Sequence, residues 1–424
     1  MKRQHVRSAF LPLLSRFLPK IINKGRLTVI DSRGGISNFG ADGELANVTI
    51  RFHDRWVPAR IALNPQLATA EAYMNGRLTI EKGDLRQFLS LAMKDLHQAQ
   101  GTALDRFRNR MTKAIVRLSG GNKRRRAARN VAHHYNLTPK FYALFLDKEM
   151  HYSCAYFPEG SETLEQAQTA KVRHIAAKLY LSPEQRVLDI GSGWGSMALA
   201  LARETGVNVE GVTLSKEQFA AANKRAEQAG LTDHVAFRLE DYRDVKGQFD
   251  RIVSIGMLEH VGLDYLDTYF AKVAALLKHD GVALIHAIGR WDGKTGSDGF
   301  TDRYIFPGGH IPSLSEVIPA IERSGLLITD IEILRLHYAE TLRHWAERFA
   351  ARRAEAHKLY GEQFCRMWEF YLVSAEMSFR NARLMVFQIQ LAHKRDAVPL
   401  TRDYVTEFER KMSRFGHLPI KDVA

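Results

Sequence analysis

The stretch Arg186-Val187-Leu188-Asp189-Ile190-Gly191-Ser192-Gly193-Trp194-Gly195 combines residue types and a spacing that point to ligand chemistry. Its apolar run closed by an acid reads as a short buried strand, and a helical pattern from Ser196 to Thr205 follows. Alternating glycines give the backbone angles that other residues avoid and let a ligand approach the main chain closely. A dinucleotide loop needs glycine at the sixth position of G-x-G-x-x-G, and that position is Ser196. The pattern here is D-x-G-x-G-x-G. Glu259 follows the apolar run 249–255, and His286 sits inside Val282-Ala283-Leu284-Ile285-His286-Ala287-Ile288. A histidine in such a run must find hydrogen-bond partners once buried. By residue type alone it reads as a satisfied core histidine, and Cys154 as a small buried hydrophobe.

These residues need a scaffold, and the sequence predicts one. Beyond the glycine turn, strands are expected near Asn208–Thr213, His234–Leu239, Phe249–Ile255, Gly281–Ile288 and Leu326–Glu332. Helices are expected near Lys216–Ala229, Tyr265–Leu277 and Leu314–Ser324, then a helical insertion over Ala339–His357 and Gly361–Arg380. Arg383–Ala392 reads as a last strand, antiparallel at the sheet edge. The alternation predicts a doubly wound α/β fold whose ligands bind at the carboxyl ends of the strands, so Glu259 and His286 fall on the ligand edge. The second strand ends in Thr213-Leu214-Ser215 rather than in an acid, so cofactor contacts there fall to Thr213 and Gln218 or to backbone. An aromatic segment with Tyr135, Phe141, Tyr142, Phe145, Tyr152, Tyr156 and Phe157 precedes the glycine strand and should lie against the same edge. Upstream, Leu27–Ile30 and Val48–Phe52 alternate as half-buried strands, and Asp84 starts a helix through Leu96. The expected organisation is a small α+β domain over 1–100, a basic helical linker over 101–129, and a catalytic domain over 130–424.

Charge narrows the class of partner. The 424 residues carry a net charge of +14, which calls for an anionic partner. Residues 1–30 hold Lys2, Arg3, Arg7, Arg16, Lys20, Lys24 and Arg26 with no acid, interleaved with Leu11, Leu14, Phe17, Leu18, Ile21 and Ile22. A basic amphipathic segment of this kind can lie in a membrane interface or pack on its own domain with a solvated basic face. Residues 101–130 add ten Lys or Arg against one acid, Asp105. Aromatic residues that would stack bases are thin there, which favours anionic phospholipid headgroups over nucleic acid. Cys154 and Cys365 are far apart with no C-x-x-C, so neither a disulfide framework nor a metal site is expected. No apolar stretch is long enough for a bilayer span, and Pro12 interrupts the N-terminal apolar run. The expected location is cytoplasmic, peripheral at the inner face of the membrane.

The D-x-G-x-G-x-G turn resembles motif I of S-adenosylmethionine (SAM) dependent methyltransferases, whose cofactor needs a small, closely approaching loop. His134-Tyr135-Asn136, Phe141-Tyr142, Leu146-Asp147, Tyr152-Ser153-Cys154-Ala155-Tyr156-Phe157, Gly211-Val212-Thr213-Leu214-Ser215, Glu259-His260-Val261-Gly262 and Tyr304-Ile305-Phe306-Pro307 join it in order. Together they resemble the cyclopropane-fatty-acyl-phospholipid synthases, relatives of the mycolic acid cyclopropane synthases, from about Asn130 to the C-terminus. Asn136 stands where the family usually has Asp, and Ser192 where it has Cys. The resemblance implies a Rossmann-like class I methyltransferase fold with a mostly parallel seven-stranded sheet and a helical insertion. It implies transfer of a methylene group from SAM to the cis double bond of an unsaturated phospholipid acyl chain. A carbocation forms on the chain and must lose a proton as the ring closes, in a dry pocket with aromatic faces. It further implies a bound bicarbonate as base, held at the positions of Cys154, Glu259, His286 and Tyr338, with a backbone contact near Ile288. The positions matching the SAM site are Tyr152, Ser153, Asp189, Gly191, Gly193, Gly195, Thr213, Gln218, Tyr242 and Arg243, with Tyr242 placed to flank the adenine.

Two other readings stay open on the sequence. A C-methyltransferase on the same lipids would share fold and cofactor site and differ in product, a methyl branch in place of a ring. A basic lipid-binding protein without catalysis would not need Gly191, Gly193, Cys154, Glu259 and His286 intact. Acyl-chain preference and the oligomeric state, a homodimer included, are not legible in the sequence.

Overall fold

The computed structural model describes residues 18–22, 25–41, 47–94, 137–293 and 299–415. The basic stretch 1–17, the linker 101–129 and His134-Tyr135-Asn136 lie outside the described residues. The described residues fall into two compact units: up to 94 with 299–305 and 342–383, and 137–293 with 306–341 and 384–415. The helices after Leu342 therefore group with the N-terminal strands.

In the first unit β1 (Gly25–Ile30), β2 (Ile36–Ala41), β3 (Asn47–Phe52) and β4 (Leu78–Lys82) form a sheet in the order β2-β1-β3-β4. β1 and β3 are parallel, and the outer pairs are antiparallel. The alternation read from the sequence is present: Leu27, Val29, Val48, Ile50 and Phe52 are buried, while Thr28, Thr49 and Arg51 are part-exposed. Helix Leu85–Lys94 lies against β1, with Phe88, Leu89 and Leu91 buried. The long helix Arg353–Asn381 packs on it, and Arg86 Nε donates to the buried Glu376 at 2.9 Å. At φ +80°, Gly361 interrupts that long helix, close to where the sequence begins its second insertion helix.

The second unit is built on β5 (Arg186–Ile190), β6 (Asn208–Thr213), β7 (Val235–Leu239), β8 (Phe249–Ile255), β9 (Leu277–Arg290), β10 (Leu327–Leu334) and β11 (Leu384–Ala392). The order is β10-β11-β9-β8-β5-β6-β7. β5 to β9 pair in parallel, and β11 is antiparallel to both its neighbours. A parallel sheet must be covered on both faces. Leu188 and Ile190 of β5 enter one core with helices Leu266–Leu276 and Leu314–Ser324, and Val187 enters the other with helices Leu164–Lys178 and Ser196–Thr205. One expectation is corrected. β11 is not at the sheet edge but second from it, between β9 and β10. Eight of its nine residues are buried, and at an edge so apolar a strand would expose an unpaired ladder, whereas the half-buried β10 tolerates that place.

Helix Leu164–Lys178 was not expected from apolar periodicity, because Gln168, Lys171, His174 and Lys178 occupy buried positions on it. Its start is written in the sequence all the same. Thr163 accepts from Gln166 N, and the Gln166 side chain accepts from Thr163 N, a reciprocal cap.

Candidate active site

The site begins at the carboxyl end of β5. Gly191, Gly193 and Gly195 have φ of +87°, +53° and +79°, which explains the alternating glycines. The three are not equivalent. A side chain at Gly195 would meet the Phe237 ring at 2.6 Å, whereas at Gly193 the nearest atom is Gln218 Nε2 at 3.9 Å. Gly195 is needed for packing, and Gly193 faces space. Asp189 and Ser192 are buried there, and Asp189 Oδ2 and Ser192 Oγ have no hydrogen-bond partner among the described residues. Burial pushes the Asp189 carboxyl up to about 7, against the pull of Lys171. Unpaired buried polar atoms around an open glycine suit a polar ligand such as SAM.

Thr213 ends β6, and its hydroxyl donates to Gln218 Oε1 at 3.2 Å. Ser215 caps the helix Lys216–Gln228 by accepting from Gln218 N, so Gln218 is fixed in the first turn. Arg243 is clamped on Asp241 at 2.8 and 2.5 Å, with its guanidinium over the Tyr242 ring. Tyr242 is buried in the core, edge-on to Tyr269 at 5.4 Å. Its phenol, pushed up to about 12 chiefly by burial, stays neutral.

The aromatic segment closes over this turn, as expected. Tyr142 packs against Trp194 at 5.5 Å and Tyr152 at 5.2 Å. Ser196 Oγ donates to Met150 O at 3.1 Å. The loop is held from within by Asp147, which accepts from His151 N at 2.8 Å and Glu149 N at 3.0 Å and pairs with the His151 ring at 2.9 Å. Ser153 accepts from Lys171 Nζ at 3.0 Å, and its carbonyl accepts from Gln168.

Cys154, the next residue, is buried, and its thiol points to Ala155 O at 3.2 Å. Burial pushes this thiol well up, so it is an undissociated donor rather than an activated nucleophile. Ala155 N donates to Thr341 Oγ1 at 3.0 Å, and Phe157 N donates to His337 Nδ1 at 3.0 Å. These bonds fix the cysteine segment to the first turns of helix His337–Ala351, which carries the half-buried Tyr338. Glu259 lies in the short helix Leu258–Val261 after β8. Its Oε1 accepts from Ile288 N at 2.6 Å, and its buried Oε2 has no hydrogen-bond partner among the described residues. Burial raises its carboxyl to about 7, against the Ile288 amide, so near neutrality it is poised between acid and anion. His286 is two residues from Ile288 on β9, on the same face of the strand. Its ring is buried beside Gln388 at 3.1 Å. Burial, with Lys171, Lys178 and His174 nearby, pulls it down to about 3, so it is neutral.

Sequence reasoning missed Lys171. It is 1% exposed, and its charge acts on Asp147, His151, Cys154, Asp189 and His286. Burial depresses it to about 8. It also missed Gln388 and Lys178. The signal available was a run of buried-register polar residues on a capped helix and on an otherwise apolar strand.

Residues 122–389 match the family model of mycolic acid cyclopropane synthetase. A probable fatty acid methyltransferase of Pseudomonas putida is 41% identical over 274 residues, 63% of this chain and 69% of that protein. The cyclopropane-fatty-acyl-phospholipid synthase of Escherichia coli strain K12 is 36% identical over 358 residues, 84% of this chain and 90% of that protein. The solved structure of mycolic acid cyclopropane synthase CmaA1, complexed with SAH and CTAB, matches with a TM-score of 0.59 at 32% identity, over 62% of this chain and 97% of that one.

Proposed function

The chain belongs to the mycolic acid cyclopropane synthetase family, SAM-dependent enzymes of the class I methyltransferase fold, and from that premise we propose how its own residues perform the chemistry. The reaction adds a methylene group across the cis double bond of an unsaturated phospholipid acyl chain. When bound, SAM would supply an electrophilic methyl group, and bicarbonate would supply a base for the proton released as the ring closes. The turn Asp189–Gly195, with Tyr152, Ser153, Thr213, Gln218, Tyr242 and Arg243, positions the cofactor. Glu259, His286, Cys154 and Tyr338 hold the anion. The neutral His286 imidazole, and the Glu259 carboxyl when protonated, can each donate to a small oxyanion. The aromatic segment over the turn excludes water that would trap a cation and turns ring faces toward positive charge.

The observation that carries this reading is Glu259: one oxygen tied down by a backbone amide, the other buried and without a hydrogen-bond partner among the described residues, just after β8 on the ligand edge. Glu259→Gln keeps the shape and removes the acid. Turnover should fall about a hundred-fold, in the range general acid–base groups contribute, with SAM affinity unchanged. Added bicarbonate should partly restore it by mass action. Full activity of the variant in carbonate-depleted buffer would overturn the anion site.

The Pseudomonas putida relative keeps a second product in view, a methyl-branched chain formed from the same cation. The basic first third, residues 1–30 and 101–130, is assigned to attachment at an anionic membrane surface.

A further inference from the structure

We propose that Gln388, held by Lys178, is a positioning residue that fixes His286 in the tautomer bearing its proton on Nε2. This rests on the reading of His286 as an anion holder. The two residues are register partners across β11 and β9, and both are nearly fully buried. Side chains opposite each other in an antiparallel pair share one face of the sheet. An amide can lie either way round, so the Gln388–His286 distance of 3.1 Å does not by itself say which group donates.

Lys178 removes the ambiguity. Its Nζ is 2.8 Å from Gln388 Oε1, and an ammonium has donors only. Oε1 must therefore accept, and the end facing His286 is the NH2 group, which can only donate. Nδ1 of His286 accepts and carries no proton, so the neutral ring has its proton on Nε2.

Lys178 is fixed in its turn. It donates to Glu332, and Asp330 lies 3.9 Å away. Glu332 also accepts from His174 Nε2 at 2.7 Å, and His174 Nδ1 donates to Glu409 at 2.7 Å. The His174 ring stacks on Tyr156 at 4.2 Å. Each link has one polarity, from Glu409 on the last helix, Asp403–Phe415, to His286 on β9.

The arrangement has a chemical consequence. A doubly protonated His286 would set an N–H against the N–H of Gln388, so the ring is kept neutral. This agrees with the strong downward shift at His286. The histidine can then donate from Nε2 to an anion without competing for the proton that the substrate loses.

The test is nitrogen NMR on protein with 15N-labelled histidine, the His286 signal being assigned by its loss in His286→Gln. The wild type should show the Nε2–H tautomer. Gln388→Glu keeps the size but presents an acceptor, so the proton should move to Nδ1. Turnover should fall about ten- to a hundred-fold, the usual cost of losing an orienting partner, with SAM affinity unchanged. Lys178→Met, read in the same way should Gln388→Glu fail to fold, frees the amide to turn and should give mixed tautomers with a smaller loss. An Nδ1–H ring in the wild type, an unmoved proton in a folded variant, or a moved proton with full turnover would each overturn the proposal. Full activity of His286→Gln would instead sink the anion-holder reading, leaving the tautomer result to stand or fall alone.

Discussion

At the scale of single residues, the glycine turn separates two demands that one motif merges. Gly193 faces open space with φ +53°, and Gly195 faces the Phe237 ring with φ +79°. Gly193→Val should abolish SAM binding in calorimetric titration, because its branches enter the space in front of the turn. It also carries backbone strain of about 1–3 kcal/mol, which the rest of the core can absorb. Gly195→Ala should show its main loss in thermal melting, because the ring it meets is fixed on β7. Unchanged SAM affinity in Gly193→Val would place the cofactor elsewhere. The turn was legible in the sequence because its requirements are local. Glu259 and His286 were legible as positions, one just after an apolar run and the other inside one, but their partners Ile288 and Gln388 were not. Lys171 and Gln388 were hidden because their contacts lie 18 and 102 positions away. Tyr242 was legible as a ring after a strand end, but its edge-on packing against Tyr269 was not.

At the scale of elements, helix Leu164–Lys178 is the piece the sequence concealed. A helix whose buried positions mix Lys, His and Gln with Leu164, Val172 and Ile175 shows only a broken apolar stripe, and its polar residues make sense only once β10, β11 and the last helix supply partners. The His174 clamp has a measurable signature. Burial opposes charge on this ring, but the hydrogen bonds to Glu332 and Glu409 outweigh it and hold the folded-state pKa above the ordinary value. A raised histidine pKa stabilises fully below the unfolded value, about 6.5, and the contribution is lost as pH rises through the folded value. Glu409→Gln should therefore lower the melting temperature most below about pH 6.5, and the gap to wild type should narrow above it. A gap that widens with rising pH would contradict the clamp. The misplaced β11 has a similar cause: pairing partners are not local, so its apolar character was visible and its neighbours were not.

At the scale of the whole molecule, the fold class followed from alternation of apolar runs with helical patterns, which few topologies satisfy. The grouping of 342–383 with the N-terminal strands did not, because chain order says nothing about which core a late helix joins. The net charge of +14 bears on association with anionic surfaces. Each basic side chain near an anionic surface contributes about 1 kcal/mol, screened over about 10 Å at 0.1 M salt. Co-sedimentation with anionic vesicles should fall as salt rises and as anionic lipid is removed. Equal binding to neutral vesicles at every salt concentration would rule out electrostatic attachment.

The central claim is ring formation, and the product tests it most directly. The protein, SAM and vesicles of a cis-unsaturated phospholipid are incubated, and the released acyl chains are analysed by mass spectrometry and proton NMR. The account predicts chains heavier by one CH2, with the upfield ring-methylene protons of a cyclopropane and no remaining alkene. Chains of the same mass bearing an exocyclic alkene, or heavier chains with a methyl branch and no ring protons, would contradict it and make this chain a C-methyltransferase of unsaturated lipids.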